Sequence, residues 1–347
     1  MLLQAQQVSP RSKTFKTTIL AASVVLCFLV YQAWNHQDRI ADELAEHLRI
    51  PAGYCLGQAV DSRPEPAEVA QPVADEGIPK RIWYKLGPKG KSPDIEAWTQ
   101  SCIKQNPSYR YEFFSDPSAD YWVEQTFSAT RPDIVEAYLS LTVPILKADL
   151  LRYLLLYVEG GVWSDLDVSC EGIPIDQWIP EVHRNETSLL VGWEFDAGWS
   201  WDYTHEFASW TILSKPRLPH MLMVINDIMD SIHRSTAEAN VTIAELTMEI
   251  VGDIVDYTGP RRMTRSIIKS LGLARGRPVE REEIENIREP LRIQDVTILP
   301  GYAFANLTNK YDEADGPIGE TLVTHHYAGT WKNENGGELA RRQPRRI

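Results

Sequence analysis

A chain of 347 residues with a formal net charge of −13 lacks the basic face that a nucleic-acid binder needs, so no nucleic-acid partner is expected. A hydrophobic content of 43% with 11 Trp excludes a disordered chain and suits one large packed domain with appendages. The acid excess fits a neutral partner, or an anion that arrives with its own cations.

Residues 1–16 carry Arg11, Lys13 and Lys16, and the run Thr17–Trp34 that follows has no charge. As a helix it would run roughly 27 Å at about 1.5 Å per residue, near the lower limit for a bilayer span. Tyr31 and Trp34 sit where an aromatic belt would be, and Asp38, Asp42 and Glu43 follow. The positive-inside rule then makes 1–16 a cytosolic tail and 17–34 a signal anchor holding the body to the membrane from the far side. A cleaved signal peptide is the alternative, but no small-x-small site follows promptly. Ile40, Leu44 and Leu48 mark a short amphipathic helix, and 61–77 is Pro-rich and acidic, so 35–77 reads as a stem. Sequons at Asn185, Asn240 and Asn306 agree with a secretory lumen as N-glycosylation acceptors. Cys27 lies in the span, whereas Cys55, Cys102 and Cys170 would face an oxidising compartment. One internal bridge is allowed; Cys102 with Cys170 is one option, and connectivity is not readable from sequence.

The head opens with a strand in IPKRIWYKL (78–86), then a helix in 94–107 that stops at Pro107. YRYEFFSD alternates like a strand, and helices are predicted over 117–127 and 131–141. In PILKADLLRYLLLYVEGG, Pro144 suits a first helical turn and Gly160 and Gly161 its end. GVWSDLDV reads as a strand, SLLVGWEF (188–195) as another, with helices near 216–234 and 241–256 and a late strand at 296–300. Alternating strands and helices predict an α/β head with a largely parallel sheet. The segment 265–295 has no clear assignment, and the tail 336–347 reads as disordered.

Asp165 and Asp167 stand two apart at the end of one strand, where alternation places both on one face and each makes the other harder to ionise. In open α/β sheets ligands bind beyond the carboxyl ends of the strands. A divalent cation would relieve the repulsion, and oxygen ligands suit Mg²⁺ or Mn²⁺ holding a diphosphate. Asp-x-Asp alone is common at strand ends. Its neighbours add weight: Asp149, Arg152 and Lys147 lie on a helix so apolar that it must be buried, and buried charges need partners. Glu194 and Asp196, at a later strand end, are candidates for touching a sugar or an acceptor, or are solvated loop acids.

KADLLRYLLLYVEGGVWSDLDV (147–168) closely resembles the signature of glycosyltransferase family 32, sugar-transferring enzymes with a D-x-D motif. IPKRIW, SCIKQNPSYRYEFFSD, PIDQWIP, ASWTILSKP, YTGPRRMT and HHYAGTWK look like pieces of the fungal initiation-specific α-1,6-mannosyltransferases, a likeness covering roughly 78 to 335. The resemblance implies a GT-A-like single domain over 78–335 with a mostly parallel sheet, a retaining mechanism, GDP-mannose as the donor sugar nucleotide, and Mn²⁺ bridging its diphosphate. It implies a single-pass type II protein of the Golgi membrane, lumenal in its catalytic domain, acting on a glycan or glycoprotein. Carried over by position, Asp165 faces the sugar or ribose, Asp167 binds the metal, Asp149 and Arg152 contact the donor sugar, and Trp83 borders the base. In a related family a C-terminal histidine is followed by glycine three on and lysine six on; that spacing selects His326 as metal ligand and Lys332 as diphosphate contact, and leaves His325 a packing role. Two departures stand out. Trp163 occupies a position where many relatives carry Tyr, with little expected bearing on mechanism, and EFDAGWSWDYTHEFASW is richer in Trp than expected, which leaves the acceptor open.

Other readings differ in class. A retaining glycosidase needs carboxylates about 5–5.5 Å apart straddling a bond, usually from separate elements. A weakly active or non-catalytic subunit, in complex with other mannosyltransferases of a mannan-synthesising assembly, is the second alternative. A glycosyltransferase using another sugar nucleotide is the third.

Overall fold

The structure, a computed structural model, describes residues 77–200, 205–312, 314 and 316–329, all within the unit Glu68–Ile347. The predicted tail 1–16, anchor 17–34, nearly all of the stem 35–77, Lys332 and the tail 336–347 lie outside the described residues. Among the described residues no helix is long and apolar enough to cross a membrane.

In chain order, β1 (Arg81–Lys85) leads to the helix Pro93–Gln105, whose first turn is capped by the Ser92 hydroxyl accepting from the Ile95 amide. Next come β2 (Arg110–Phe114) and the helix Asp116–Phe127, started by a capping box on Ser115 and Ser118. The helices Pro132–Ser140 and Pro144–Val158 each place proline in the first turn. The second is buried almost all round, Asp149 and Arg152 included, as its apolar composition requires.

Gly160 and Gly161 then turn the chain into β3 (Gly161–Ser164) with φ of 65° and 96°. A Cβ on Gly161 would lie 2.6 Å from the Arg81 carbonyl, so only glycine lets β3 slot in beside β1. The strand predicted through the acid pair instead stops at Ser164; the chain turns at Leu166 and Asp167 and resumes as β4 (Val168–Cys170).

β5 (Leu189–Phe195), β6 (Glu206–Phe207) and β7 (Thr211–Ser214) follow, then the helix Pro219–Ala239. The helix predicted over 241–256 is broken into Met248–Val251 and Ile254–Tyr257 by Gly252 at φ 74°. The unassigned segment holds most of the helix Pro260–Arg275, ended by Gly276, and β8 (Leu291–Ile293). β9 (Val296–Leu299), the helix Gly301–Ala305 and β10 (Val323–His325) complete the described chain.

The main sheet runs β2–β1–β3–β7–β5–β9–β8, with β6 on β5. β1, β2, β3, β5 and β9 share one direction and β6, β7 and β8 run against them, a mixed, mostly parallel sheet. β7 is antiparallel because β5 reaches it through β6, with no helical crossover among the described residues between them. Alternate residues serve two cores: Trp83, Trp163 and Ile212 face one, Ile82, Val162 and Leu213 the other. β4 and β10 form a separate antiparallel ribbon, with His325 opposite Val168 and Val323 opposite Cys170. A Cys102–Cys170 disulfide ties this ribbon to the Pro93–Gln105 helix.

Candidate active site

The acid pair occupies the turn beyond β3, at the carboxyl end of the strand. Asp165 is held from beneath. The Trp163 indole Nε1 donates to its Oδ1 at 2.6 Å, and the Arg152 guanidinium reaches the same oxygen at 3.2 Å and Oδ2 at 3.4 Å. Arg152 is only 4% exposed and cannot stand alone there. Its other nitrogen donates to Asp149 Oδ1 at 2.8 Å, and the Thr258 hydroxyl donates to Asp149 Oδ2 at 2.8 Å. Both Asp149 oxygens are thereby engaged. Asp149 and Arg152, expected to touch the donor sugar, form a buried pair that supports Asp165 from below. Lys147 points elsewhere, to Asp120 at 2.7 Å.

Burial pushes the Asp165 carboxyl up; Arg152 opposes that shift and the Asp167 charge adds to it. Asp167 goes the other way. Burial works against its charge, but the His325 ring and the Ala328 amide, which donates to Oδ2 at 2.9 Å, outweigh it and pull the carboxyl below its ordinary value.

The choice between the adjacent histidines comes out opposite to the spacing argument. His325 Nε2 lies 3.3 Å from Asp167 Oδ1, its ring stacked on Trp210 and packed against Tyr327. The His326 ring stacks on Trp98 at 4.3 Å, with Nε2 2.9 Å from the Ser169 hydroxyl. The register explains this: His325 faces the same side as buried Val168, so His326 must point to the other. Only its backbone amide, donating to the Asp167 carbonyl at 2.8 Å, meets the motif.

Three further expectations need revision or refinement. Trp83 is 2% exposed and donates to the Gly160 carbonyl at 2.7 Å, which makes it a core residue between β1 and β3 and removes it from any base-binding surface. Glu194 is buried near the motif: the Tyr327 hydroxyl donates to its Oε1 at 3.1 Å, and burial pushes its carboxyl up against the pull of His325. Asp196 turns away. Its Oδ1 accepts from the Asn286 amide at 2.8 Å and faces His205 Nδ1 at 3.1 Å, because a register shift in β5 lies between Trp193 and Phe195. Asn185, Asn240 and Asn306 are all exposed.

Trp163, Thr258, His325 and Tyr327 are the residues that sequence reasoning missed. Trp163 bears directly on the motif, contrary to the expectation that it mattered little. Among the described residues no three His, Cys, Asp or Glu side chains gather tightly enough to hold a metal alone. The Asp167 carboxylate and His325 imidazole nonetheless offer a donor pair suited to Mg²⁺ or Mn²⁺, with remaining positions left for ligands brought by a substrate.

Residues 93–184 match the family described as glycosyltransferase sugar-binding region containing DXD motif. The chain is 29% identical over 292 residues to the initiation-specific alpha-1,6-mannosyltransferase of Candida albicans, covering 76% of this chain and 74% of that one. It is 29% identical over 270 residues to the enzyme of that name from Schizosaccharomyces pombe, covering 74% of this chain but 64%, under two thirds, of that one. The solved PaToxG glycosyltransferase superposes loosely, with a TM-score of 0.36 at 16% identity over 57% of this chain and 72% of that one. The DXD motif of the family goes with a divalent cation in general.

Proposed function

This chain is a glycosyltransferase of the family whose sugar-binding region contains the DXD motif, distantly homologous to the fungal initiation-specific α-1,6-mannosyltransferases, and from that premise we propose that it moves mannose from GDP-mannose to a glycan with retention of the α-linkage. The observation that carries the reading is the Asp165–Asp167 turn, with Arg152 beneath one acid and His325 beside the other. Mannose as the transferred sugar rests on the resemblance to the named mannosyltransferases.

Breaking a sugar–phosphate bond builds charge on the departing diphosphate, and a divalent cation, Mn²⁺ in this reading, would be held by Asp167 and His325 and would neutralise that charge. Asp165 is fixed through Oδ1, and its Oδ2 has only the 3.4 Å contact, which leaves that oxygen to accept from a hydroxyl of the donor sugar or ribose. Arg152 keeps Asp165 oriented, and Asp149 and Thr258 keep Arg152 oriented. Glu194 is the nearby carboxylate fit to accept from an acceptor hydroxyl. No dedicated nucleophile is needed when that hydroxyl attacks the face from which the nucleotide leaves. In the whole protein the domain is read as GT-A-like over 78–335, anchored by 17–34 in the Golgi membrane and facing the lumen, where glycans and partner mannosyltransferases are met.

The test is incubation of the purified protein with a panel of sugar nucleotides and Mn²⁺. The expected outcome is turnover of GDP-mannose that stops in excess EDTA and returns with Mn²⁺. Undiminished activity in EDTA would sink the metal role, and preference for a UDP-sugar would sink the donor.

A further inference from the structure

One buried residue beside the acid turn has no part in the mechanism above. Trp210 stands just before β7 and is 3% exposed. Its carbonyl accepts from the Asp165 amide at 2.9 Å, which ties it to the backbone of the turn. Its indole stacks on the His325 ring, with centroids 4.7 Å apart and planes 25° from parallel. Fully buried Phe304 packs against the same indole, centroids 6.0 Å apart, so the indole is itself held in the core.

His325 needs such a contact. A metal-ligating imidazole ordinarily donates its second ring nitrogen to a carboxylate or carbonyl, and that bond fixes the plane of the ring. Here Nε2 faces Asp167, but Nδ1 is buried and meets no partner among the described residues. No hydrogen bond on that side sets the ring plane. That role falls to the rings packed against it, Trp210 and Tyr327. Tyr327 is 46% exposed and tilted by 50° to the imidazole, whereas Trp210 is buried and stacked. We infer that Trp210 is a positioning residue of the transfer reaction, its indole holding the His325 imidazole in the plane that sets Nε2 against Asp167, where a cation would be shared, resting on the glycosyltransfer reading above. One residue thus steadies the acid turn through its backbone and the imidazole through its ring.

Three substitutions separate this role from core packing. Trp210→Phe keeps an aromatic face and removes the N–H, which lies near Glu194 but meets no acceptor in hydrogen-bond geometry among the described residues. Trp210→Leu removes the stack and stays apolar. Trp210→Met, whose flexible chain refills the space, replaces it where the leucine variant does not fold. The readout is the Mn²⁺ dissociation constant of the purified protein with GDP present, taken from the EPR signal of free Mn²⁺ and independent of turnover. Mn²⁺ binding is expected to weaken about tenfold in Trp210→Leu or Trp210→Met and to stay within about threefold of wild type in Trp210→Phe. A residue that only filled the core would be replaced as well by leucine or methionine as by phenylalanine. Because Trp210 acts through His325, the same change in a His325→Ala background should add less than about twofold. Unchanged binding without the ring, equal losses in all variants, or a further loss of about tenfold on top of His325→Ala would each overturn the inference. Wild type that binds Mn²⁺ but transfers no mannose would sink the proposed function, while the variant series still supports or refutes the role of Trp210. Transfer by a wild type that binds no Mn²⁺ would overturn that role and leave transfer intact.

Discussion

At the scale of single residues the site is a stack of supports: Thr258 on Asp149, Asp149 on Arg152, Arg152 and Trp163 on Asp165. Removing the indole N–H takes a hydrogen bond from a charged acceptor, a loss of about 1.5–3 kcal/mol. Trp163→Phe keeps a ring under Arg152, which lies 5.2 Å from the indole centroid, and should lower the transfer rate roughly 10- to 100-fold. Trp163→Tyr restores a hydroxyl donor and should recover part of that loss, which a merely structural role would not show. The two histidines give a second test. His325→Ala should raise the Mn²⁺ concentration for half-maximal activity at least about tenfold, if it is one of the two proposed protein donors. His326→Ala should leave it near wild type; a reversed order would return the ligand role to His326. Asp165 and Asp167 were legible because two like charges at the end of an apolar run demand an explanation within one short stretch. Asp149 and Arg152 were legible as charges on a helix with no polar face. Thr258 was not, because it lies 109 residues from Asp149. The histidine choice was lost because one residue of register against β4, which no local pattern encodes, decides which ring faces inward.

Elements were more legible than their pairing. Proline at first turns, serine caps and the double glycine carry local physics, and the helices around them fall within a few residues of expectation. The antiparallel insertion of β7 and the ending of β3 before the motif depend on partners far along the chain. In the proposed mechanism the β4–β10 ribbon matters most among these, since it aligns Asp167 with His325, and the Cys102–Cys170 bridge holds one of its strands. The bridge closes a loop of sequence separation 68, for which loop entropy alone is worth about 4 kcal/mol. Replacing both cysteines by serine should lower the melting midpoint by roughly 8–16 °C for a domain of this size. Because β4 begins just after Asp167, the same variant should also need more Mn²⁺ at temperatures where it remains folded. An unchanged melting curve would show that the bridge contributes nothing to the ribbon.

For the molecule as a whole, the response to pH combines a long-range and a local part. The net charge of −13 destabilises the compact state by self-repulsion, so acidification from pH 8 relieves it. Glu206 acts in the same direction. Burial first, then the Glu194 charge, push its carboxyl up to about 7 from 4.5 despite Arg261 at 3.3 Å. Between those two values the folded state holds a proton that the unfolded chain has released, so stability falls as pH rises through the window and the penalty is complete above 7. Asp196, pushed up to about 6, has the same sign in a lower window. His205, pushed down to about 4 from 6.5 by burial and then Arg281, has the opposite sign and costs stability as pH falls towards and below 6.5, about half the Glu206 effect at 6.5. From pH 8 to 6.5 Glu206 is therefore the dominant local contributor of the three, worth roughly 0.8 kcal/mol by linkage, or roughly 2–3 °C in the melting midpoint. The midpoint should rise over that interval in chelator-containing buffer. High salt should remove the long-range part, because surface repulsion is screened while a buried carboxylate is not. Glu206→Gln, which keeps the shape without the charge, should melt higher than wild type at pH 8 and lose most of the slope that remains in salt. If wild type and variant keep parallel midpoints from pH 8 to 6.5 in high salt, the pH response belongs to groups other than Glu206.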